Sequence, residues 1–318
     1  VKHAWLAGAA AAAVVLAAAV DAVRRDDAPA TPPTTTGIEN RDELAAALRD
    51  LGARGELTLY DDACEETTLT LPNLERREYA FGCPSLGARS PDGALVARCI
   101  DGRIEVSSVA NGELEWFDRG CIPAWRPDWA VTAVYAGQIV RLRPCESFPC
   151  IAIPLAELER AARLHPAVPD RSTRVRPIVD GVAWLGNDRA AVAISPRLRG
   201  FDLGPISLVA FFRDGRLDPA AAPYQRASGG RIGASPRGSY VTVTPDVILR
   251  ADGSVVTLPQ HLRAARAFAW SRDERFLALA TRFAVVIVAV ASLERYDRTG
   301  GGLRSATIPQ PAADLSWR

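Results

Sequence analysis

With 318 residues, 48% of them hydrophobic, the chain is long enough to bury a large core and too apolar to be disordered. A net charge of +1 excludes the strongly basic footprint of a nucleic-acid-binding domain, so no nucleic-acid partner is expected. The basic residues are nearly all Arg, with Lys2 the only Lys; alongside so much Ala this marks a G+C-rich coding bias more than a phosphate-binding design.

Lys2 and His3 precede an unbroken apolar run over residues 4–20, mostly Ala. As a helix it would be about 25 Å long, just short of a comfortable membrane span and longer than an ordinary signal core. Residues 1–23 therefore read as one apolar N-terminal helix, either a cleaved signal peptide or a retained membrane anchor, in contact with the membrane at least transiently. The chain holds no Met and begins with Val1, which fits a GTG start codon translated literally. Residues 24–39 contain a Pro/Thr stretch whose composition makes an extended linker. Residues 40–318 are left for the folded domain.

Residues 40–51 read as a helix. Asn40 stands at the N-cap with Glu43 three residues on, Leu44, Leu48 and Leu51 form one stripe, and Gly52 follows where a helix stops. Six cysteines come next: Cys64, Cys83, Cys99, Cys121, Cys145 and Cys150. An even count behind a secretory segment predicts disulfides in an oxidising compartment, hence an extracytoplasmic protein, secreted or anchored. Cys145 and Cys150 could close a short loop. Cys64–Cys83 with Cys99–Cys121 would link neighbouring repeats, whereas Cys83–Cys99 would staple one hairpin. No Cys-x-x-Cys knuckle or nearby His supports a metal site, and no metal or cofactor is expected.

Beyond residue 52 a motif recurs: an apolar strand, a small or aromatic residue, a polar turn and a second apolar strand. Residues 88–93 (Ala-Arg-Ser-Pro-Asp-Gly), 124–129 (Ala-Trp-Arg-Pro-Asp-Trp), 183–189 (Ala-Trp-Leu-Gly-Asn-Asp-Arg), 233–238 (Gly-Ala-Ser-Pro-Arg-Gly) and 269–274 (Ala-Trp-Ser-Arg-Asp-Glu) carry it, and residues 314–317 (Asp-Leu-Ser-Trp) end the chain on a sixth fragment. The second motif positions, Arg89, Trp125, Trp184, Ala234, Trp270 and Trp317, lie 36, 59, 50, 36 and 47 residues apart. The mean of about 46 matches one four-stranded propeller blade. Ser-Pro-Asp-Gly suits a tight turn, and the Trp or small residue before it would pack between blades. These residues resemble the Trp-Ser-Pro-Asp-Gly repeats of TolB-like and WD-repeat-like β-propellers over residues 56–318, in degenerate form.

The fold expected is all-β: a six-bladed β-propeller with short helical insertions, seven blades or a pair of β-sandwiches being the alternatives. Residues 57–60 and 67–71 would complete the blade whose innermost strand is 313–317, closing the ring and hiding its edges.

No linear motif announces catalysis. His165 follows a helix over residues 155–164, with Leu155, Leu158 and Ala162 on one face, where a helix C-terminus would favour a protonated His. His261 sits in a short helical linker, and neither His has metal-ligand spacing. Asp92, Asp128, Asp188 and Asp273 of the turns read as backbone caps rather than a catalytic ring. Arg197, Arg199, Phe201 and Asp202 lie in a long inserted loop that could meet an acidic partner or anionic envelope polymer. The function expected is therefore a monomeric protein- or ligand-binding or sensor module of the cell envelope, engaging an envelope protein, peptide or glycan. The alternative is an extracellular propeller-type hydrolase or lyase acting on carbohydrate or peptide, with paired carboxylates near the ring axis.

Overall fold

The computed structural model describes residues 40–318 apart from 63–64, 80–86, 110–111, 144–149, 169–173, 199–205, 228–230, 245–246 and 264. The apolar N-terminal segment, its linker, Cys64, Cys83, Cys145, Arg199, Phe201 and Asp202 lie outside the described residues.

The chain opens with helix α1 (Arg41–Leu51), which buries Ala45, Leu48 and Leu51 and ends on left-handed Gly52. The reciprocal cap expected at its start does not form: Asn40 makes no side-chain bond to the backbone, and its amide N–H donates to the Glu43 carboxylate instead. Strands β1 (Gly55–Tyr60), β2 (Glu66–Leu71) and β3 (Glu75–Tyr79) follow. Then come β4 (Gly87–Arg89), β5 (Leu95–Ile100), β6 (Arg103–Ser108) and β7 (Leu114–Arg119) as blade 2, and β8 (Cys121–Trp125), β9 (Val131–Tyr135), β10 (Gln138–Arg143) and β11 (Cys150–Ile153) as blade 3. Helix α2 (Leu155–Ala162) leads to blade 4, formed by β12 (Val175–Trp184), β13 (Arg189–Leu198), β14 (Ile206–Arg213) and an outer edge divided between β15 (Arg216–Leu217) and β16 (Tyr224–Ala227). Blade 5 is β17 (Ile232–Ala234), β18 (Tyr240–Val243), β19 (Val247–Arg250) and β20 (Val255–Val256). Blade 6 is β21 (Ala267–Trp270), β22 (Phe276–Ala280), β23 (Val285–Ala289) and β24 (Ser305–Ile308), with helix α3 (Val290–Thr299) between its last two strands.

The last strand, β25 (Asp314–Trp317), pairs with β1 from Leu57↔Trp317 to Tyr60↔Asp314, so blade 1 reads β25-β1-β2-β3. The result is a six-bladed β-propeller closed by joining the two ends of the domain. Every motif position picked by spacing, from Arg89 to Trp317, is the last residue of an innermost strand.

The blades are sheets covered on both faces, so their middle strands read as apolar runs rather than alternating ones. All five residues of β22 are buried. The apolar clusters straddle the seams: one joins blades 6 and 1 with α1, others join blades 2 and 3, 3 and 4, 4 and 5, and 5 and 6. The residue ending each inner strand stitches its seam. The indole N–H of Trp125 donates to the Ala88 carbonyl of blade 2 at 2.8 Å, and that of Trp184 to Thr132 Oγ1 of blade 3 at 2.8 Å. Trp270 stacks on Tyr240 of blade 5 at 5.0 Å and Trp317 on Phe276 of blade 6 at 6.1 Å. Arg89, standing where four of the other blades have Trp and blade 5 has Ala234, donates to the Tyr60 hydroxyl of blade 1 and lies over its ring. Burial, opposed by the nearby Arg89 charge, pushes the Tyr60 phenol up to about 12.

Cys99 at the end of β5 is bonded to Cys121 at the start of β8, a covalent link between blades 2 and 3 with a Cα–Cα distance of 5.0 Å. This is the neighbouring-repeat pairing and it rules out Cys83–Cys99. Cys150 is also disulfide-bonded, to a residue outside those described. The bridges fit an oxidising compartment. Among the described residues no helix is long and apolar enough to cross a membrane.

Candidate functional site

Four inner strands end in turns of one backbone design. The turns begin at Ser90, Arg126, Ser235 and Ser271, and in each the fourth residue's N–H donates to the first residue's carbonyl at 2.8–3.1 Å. The fourth residue is left-handed every time: Gly93 at φ 75°, Trp129 at 66°, Gly238 at 73° and Glu274 at 57°. In blades 2 and 6 a Ser–Asp pair locks the turn. Ser90 Oγ donates to Asp92 at 2.6 Å and accepts the Leu95 N–H at 2.9 Å, and Asp92 accepts the Ala94 N–H at 3.0 Å. Ser271 repeats this with Asp273 at 2.7 Å and the Phe276 N–H at 2.9 Å, and Asp273 accepts from Arg275 at 3.1 Å.

Burial alone would raise the Asp92 and Asp273 carboxyls. The serine and backbone donors outweigh it and hold both below the usual carboxylate range. Asp128 accepts the Ala130 N–H at 3.3 Å and pairs with Arg126 at 3.0 Å. The capping expected of the turn aspartates therefore holds for three of the four. Asp188 uses only its carbonyl, accepting the Asp214 N–H at 2.7 Å.

On this turn face the inner strands of blades 2, 3, 4 and 5 enclose a cavity of about 900 Å³. Its rim carries Trp129, 48% exposed despite its left-handed backbone. A bulky residue in that conformation is strained, and such residues cluster where a side chain is needed in one place. Along the wall, Arg126 of blade 3 lies 5.0 Å over the ring of Trp184 in blade 4. Deeper in, the register of β12 against β13 shifts between Val179 and Gly181, so Asp180 is bulged out of the ladder into the cavity lining. Its carboxylate accepts from Ser195 Oγ at 2.5 Å and Ser207 Oγ at 2.9 Å. Gly181 is required beside it, because a Cβ there would come within 2.4 Å of Ile232 in blade 5. Arg231 reaches from blade 5 to Asp314 of blade 1 at 2.9 Å.

The cavity thus offers indoles, guanidinium groups and two carboxylates, Asp92 and Asp180, both already hydrogen-bonded. Asp180 was missed by sequence reasoning because Gly181, the mark a bulge can leave within a strand, does not tell which side chain is re-aimed.

The remaining candidates lie apart from this cavity. Arg197 is exposed on β13, cross-strand from Arg176, with its companions Arg199, Phe201 and Asp202 outside the described residues. His165 is buried, and its Nδ1 accepts the Ala167 N–H at 3.2 Å. Burial lowers its pKa, against the protonated form expected at a helix end. On α2 the buried residues are Leu158, Ala161 and Ala162, while Leu155 is exposed, against the expected face. Among the described residues no three His, Cys, Asp or Glu side chains gather to hold a metal ion.

No family model and no curated protein matches the chain. Solved structures do. A chain of Kuenenia stuttgartiensis hydrazine synthase is similar at 13% identity and TM-score 0.45, covering 79% of this chain and 83% of its own. The β-propeller domain of Myceliophteria thermophila Cps50 (Swd1) is similar at 11% identity and TM-score 0.46, covering 83% and 86%. These likenesses concern the fold and say nothing of function.

Proposed function

We propose that this protein is a monomeric binding or sensor module of the cell envelope, exported or membrane-tethered, whose recognition surface is the turn face with its central cavity. The observation that carries this reading is Trp129: a half-exposed indole held in a conformation that favours glycine, at the rim of a cavity where four blades converge. Exposed aromatics at the edge of a preformed concavity are common anchors for ligands. The resemblance of the repeats to TolB-like ones and the Cys99–Cys121 disulfide support the envelope setting.

The occupant fitting this setting is an envelope protein, peptide or glycan. The test is to screen the purified domain and its Trp129→Gly variant against envelope glycans, peptides and proteins. Binding by the parent that the variant loses supports the reading; binding unaffected by Trp129→Gly refutes this face as the site.

The alternative, a hydrolase or lyase, has one observation in its favour, the bulged Asp180 with Ser195 and Ser207. Turnover of an oligosaccharide or peptide that is abolished by Asp180→Asn would establish it over the binding reading.

A further inference from the structure

A second groove, of about 840 Å³, adjoins the cavity on the same face at the seam where the ring closes. Five arginines line it: Arg54 from the connection between α1 and β1, Arg237 from the blade 5 turn, Arg272 and Arg275 from the blade 6 turn, and Arg318 after β25. All five are exposed, and Asp273 is the one acidic side chain among the described lining residues. That carboxylate is already occupied by Ser271 and the Arg275 N–H. The guanidinium groups of Arg54, Arg237 and Arg272 have no acidic partner among the described residues. Arg275 lies over Phe276 at 5.7 Å, and Arg318 reaches the Gly93 carbonyl at 3.4 Å. Stacked Phe276 and Trp317 contribute to the lining.

Like charges gathered in a concave, low-dielectric-walled groove focus a positive potential, and the guanidinium fork suits carboxylate and sulfate geometry. Arg272 lines both the groove and the central cavity. The two are neighbours that share this side chain, the groove cationic and the cavity edged by the Trp129 indole. Given the turn face as the recognition surface, we infer that the ligand is an acidic glycan, whose charged groups lie in the arginine groove while a sugar ring rests against the exposed indole. A strand of nucleic acid fits worse, since the chain has a net charge of only +1 and, among the described residues, one exposed indole in place of a row of stacking platforms.

Calorimetric titration tests this with the full chain, a galacturonate hexamer, a galactose hexamer of equal length, oligo-glutamate and single-stranded DNA. The galacturonate hexamer is expected to bind about tenfold or more tighter than the galactose hexamer, oligo-glutamate or DNA. Its binding should weaken about tenfold in Arg237→Gln/Arg272→Gln, and further in about 0.5 M NaCl, as for charge-assisted contacts at an exposed site. The substituted side chains are exposed, so an unchanged Tm certifies the variant fold. Equal affinity for oligo-glutamate or DNA overturns the choice of a glycan. Unaltered binding by the double variant overturns the groove. If the galactose hexamer binds both proteins alike and only Trp129→Gly weakens it, the inference falls while the recognition face stands. If every probe here and every member of the envelope screen fails, both fall.

Discussion

The turn closing the first strand of blade 2 and the turn closing the first strand of blade 3 share a backbone and differ at their first and fourth positions, Ser90 against Arg126 and Gly93 against Trp129. Gly93 fills the left-handed corner in blade 2, where it needs no compensation. Trp129 fills it in blade 3, at about 1–2 kcal/mol for an L-residue. Blade 6 shows what a compensated departure looks like: Glu274 occupies the same corner, and its carboxylate accepts the Arg237 N–H of blade 5 at 2.5 Å. Trp129 has no such bond among the described residues, and its indole stands half in solvent at a cavity rim. The repeat favours glycine at this corner, and under the proposed binding role the blade that departs from it without a structural return is the one that presents its side chain to a ligand.

The comparison assumes that the corner's requirement comes from the backbone and that neighbours decide its severity. The largest expected effect probes this. A Cβ at Gly238 would sit 1.6 Å from the Leu185 carbonyl oxygen of blade 4, whereas at Gly93 the nearest atom is 3.2 Å away on the movable Arg318 side chain. Gly238→Ala should cost more than about 4 kcal/mol or prevent folding, and Gly93→Ala about 1 kcal/mol, by urea unfolding. Equal losses would break the distinction between corner and seam.

Next in size is the lock. Ser271→Ala strands the buried Phe276 N–H and removes a donor to Asp273, and should cost about 1–3 kcal/mol. Ser235→Ala frees only the Tyr240 N–H, with no carboxylate to disturb, and should cost less. The reverse order would mean that the Ser–Asp pair contributes nothing to the turn.

Much of this was legible in the sequence. The motif positions from Arg89 to Trp317 fall at the ends of inner strands because a blade's length and its turn chemistry both recur. The ring closes where 57–60 and 314–317 were expected to meet. Placing the four turns one under another sets Trp129 and Glu274 opposite Gly93 and Gly238, a misfit that the sequence reading did not take up. The rest was not legible for physical reasons. Asp180 depends on a bulge, and the arginine groove is assembled from segments as distant as Arg54 and Arg318, which only ring closure brings together. At Asn40 two polar side chains preferred each other to the backbone, a competition that a capping pattern does not reveal.

A smaller effect of opposite sign sharpens the comparison. Trp129→Gly removes the left-handed strain and gives up a half-exposed side chain, so stability should hold or rise by about 1 kcal/mol while ligand binding is lost. Chemical unfolding and titration on the same preparation read both. Lost stability would show that Trp129 is a structural residue.

The smallest effect separates turns with a Ser–Asp lock by their response to acid. Asp92 and Asp273 have carboxyls held below the ordinary value of 3.8, so the unfolded chain takes up their protons first as the solution is acidified. The stability they lend is complete above that value and is lost as pH falls through the lower, folded-state value. Asp92→Asn/Asp273→Asn should therefore shallow the acid limb of a Tm-against-pH profile. Asn keeps an acceptor oxygen for the turn, so the Tm near neutrality should fall only slightly. An acid limb as steep as the parent's would mean that the locks of blades 2 and 6 hold their turns by shape and not by charge.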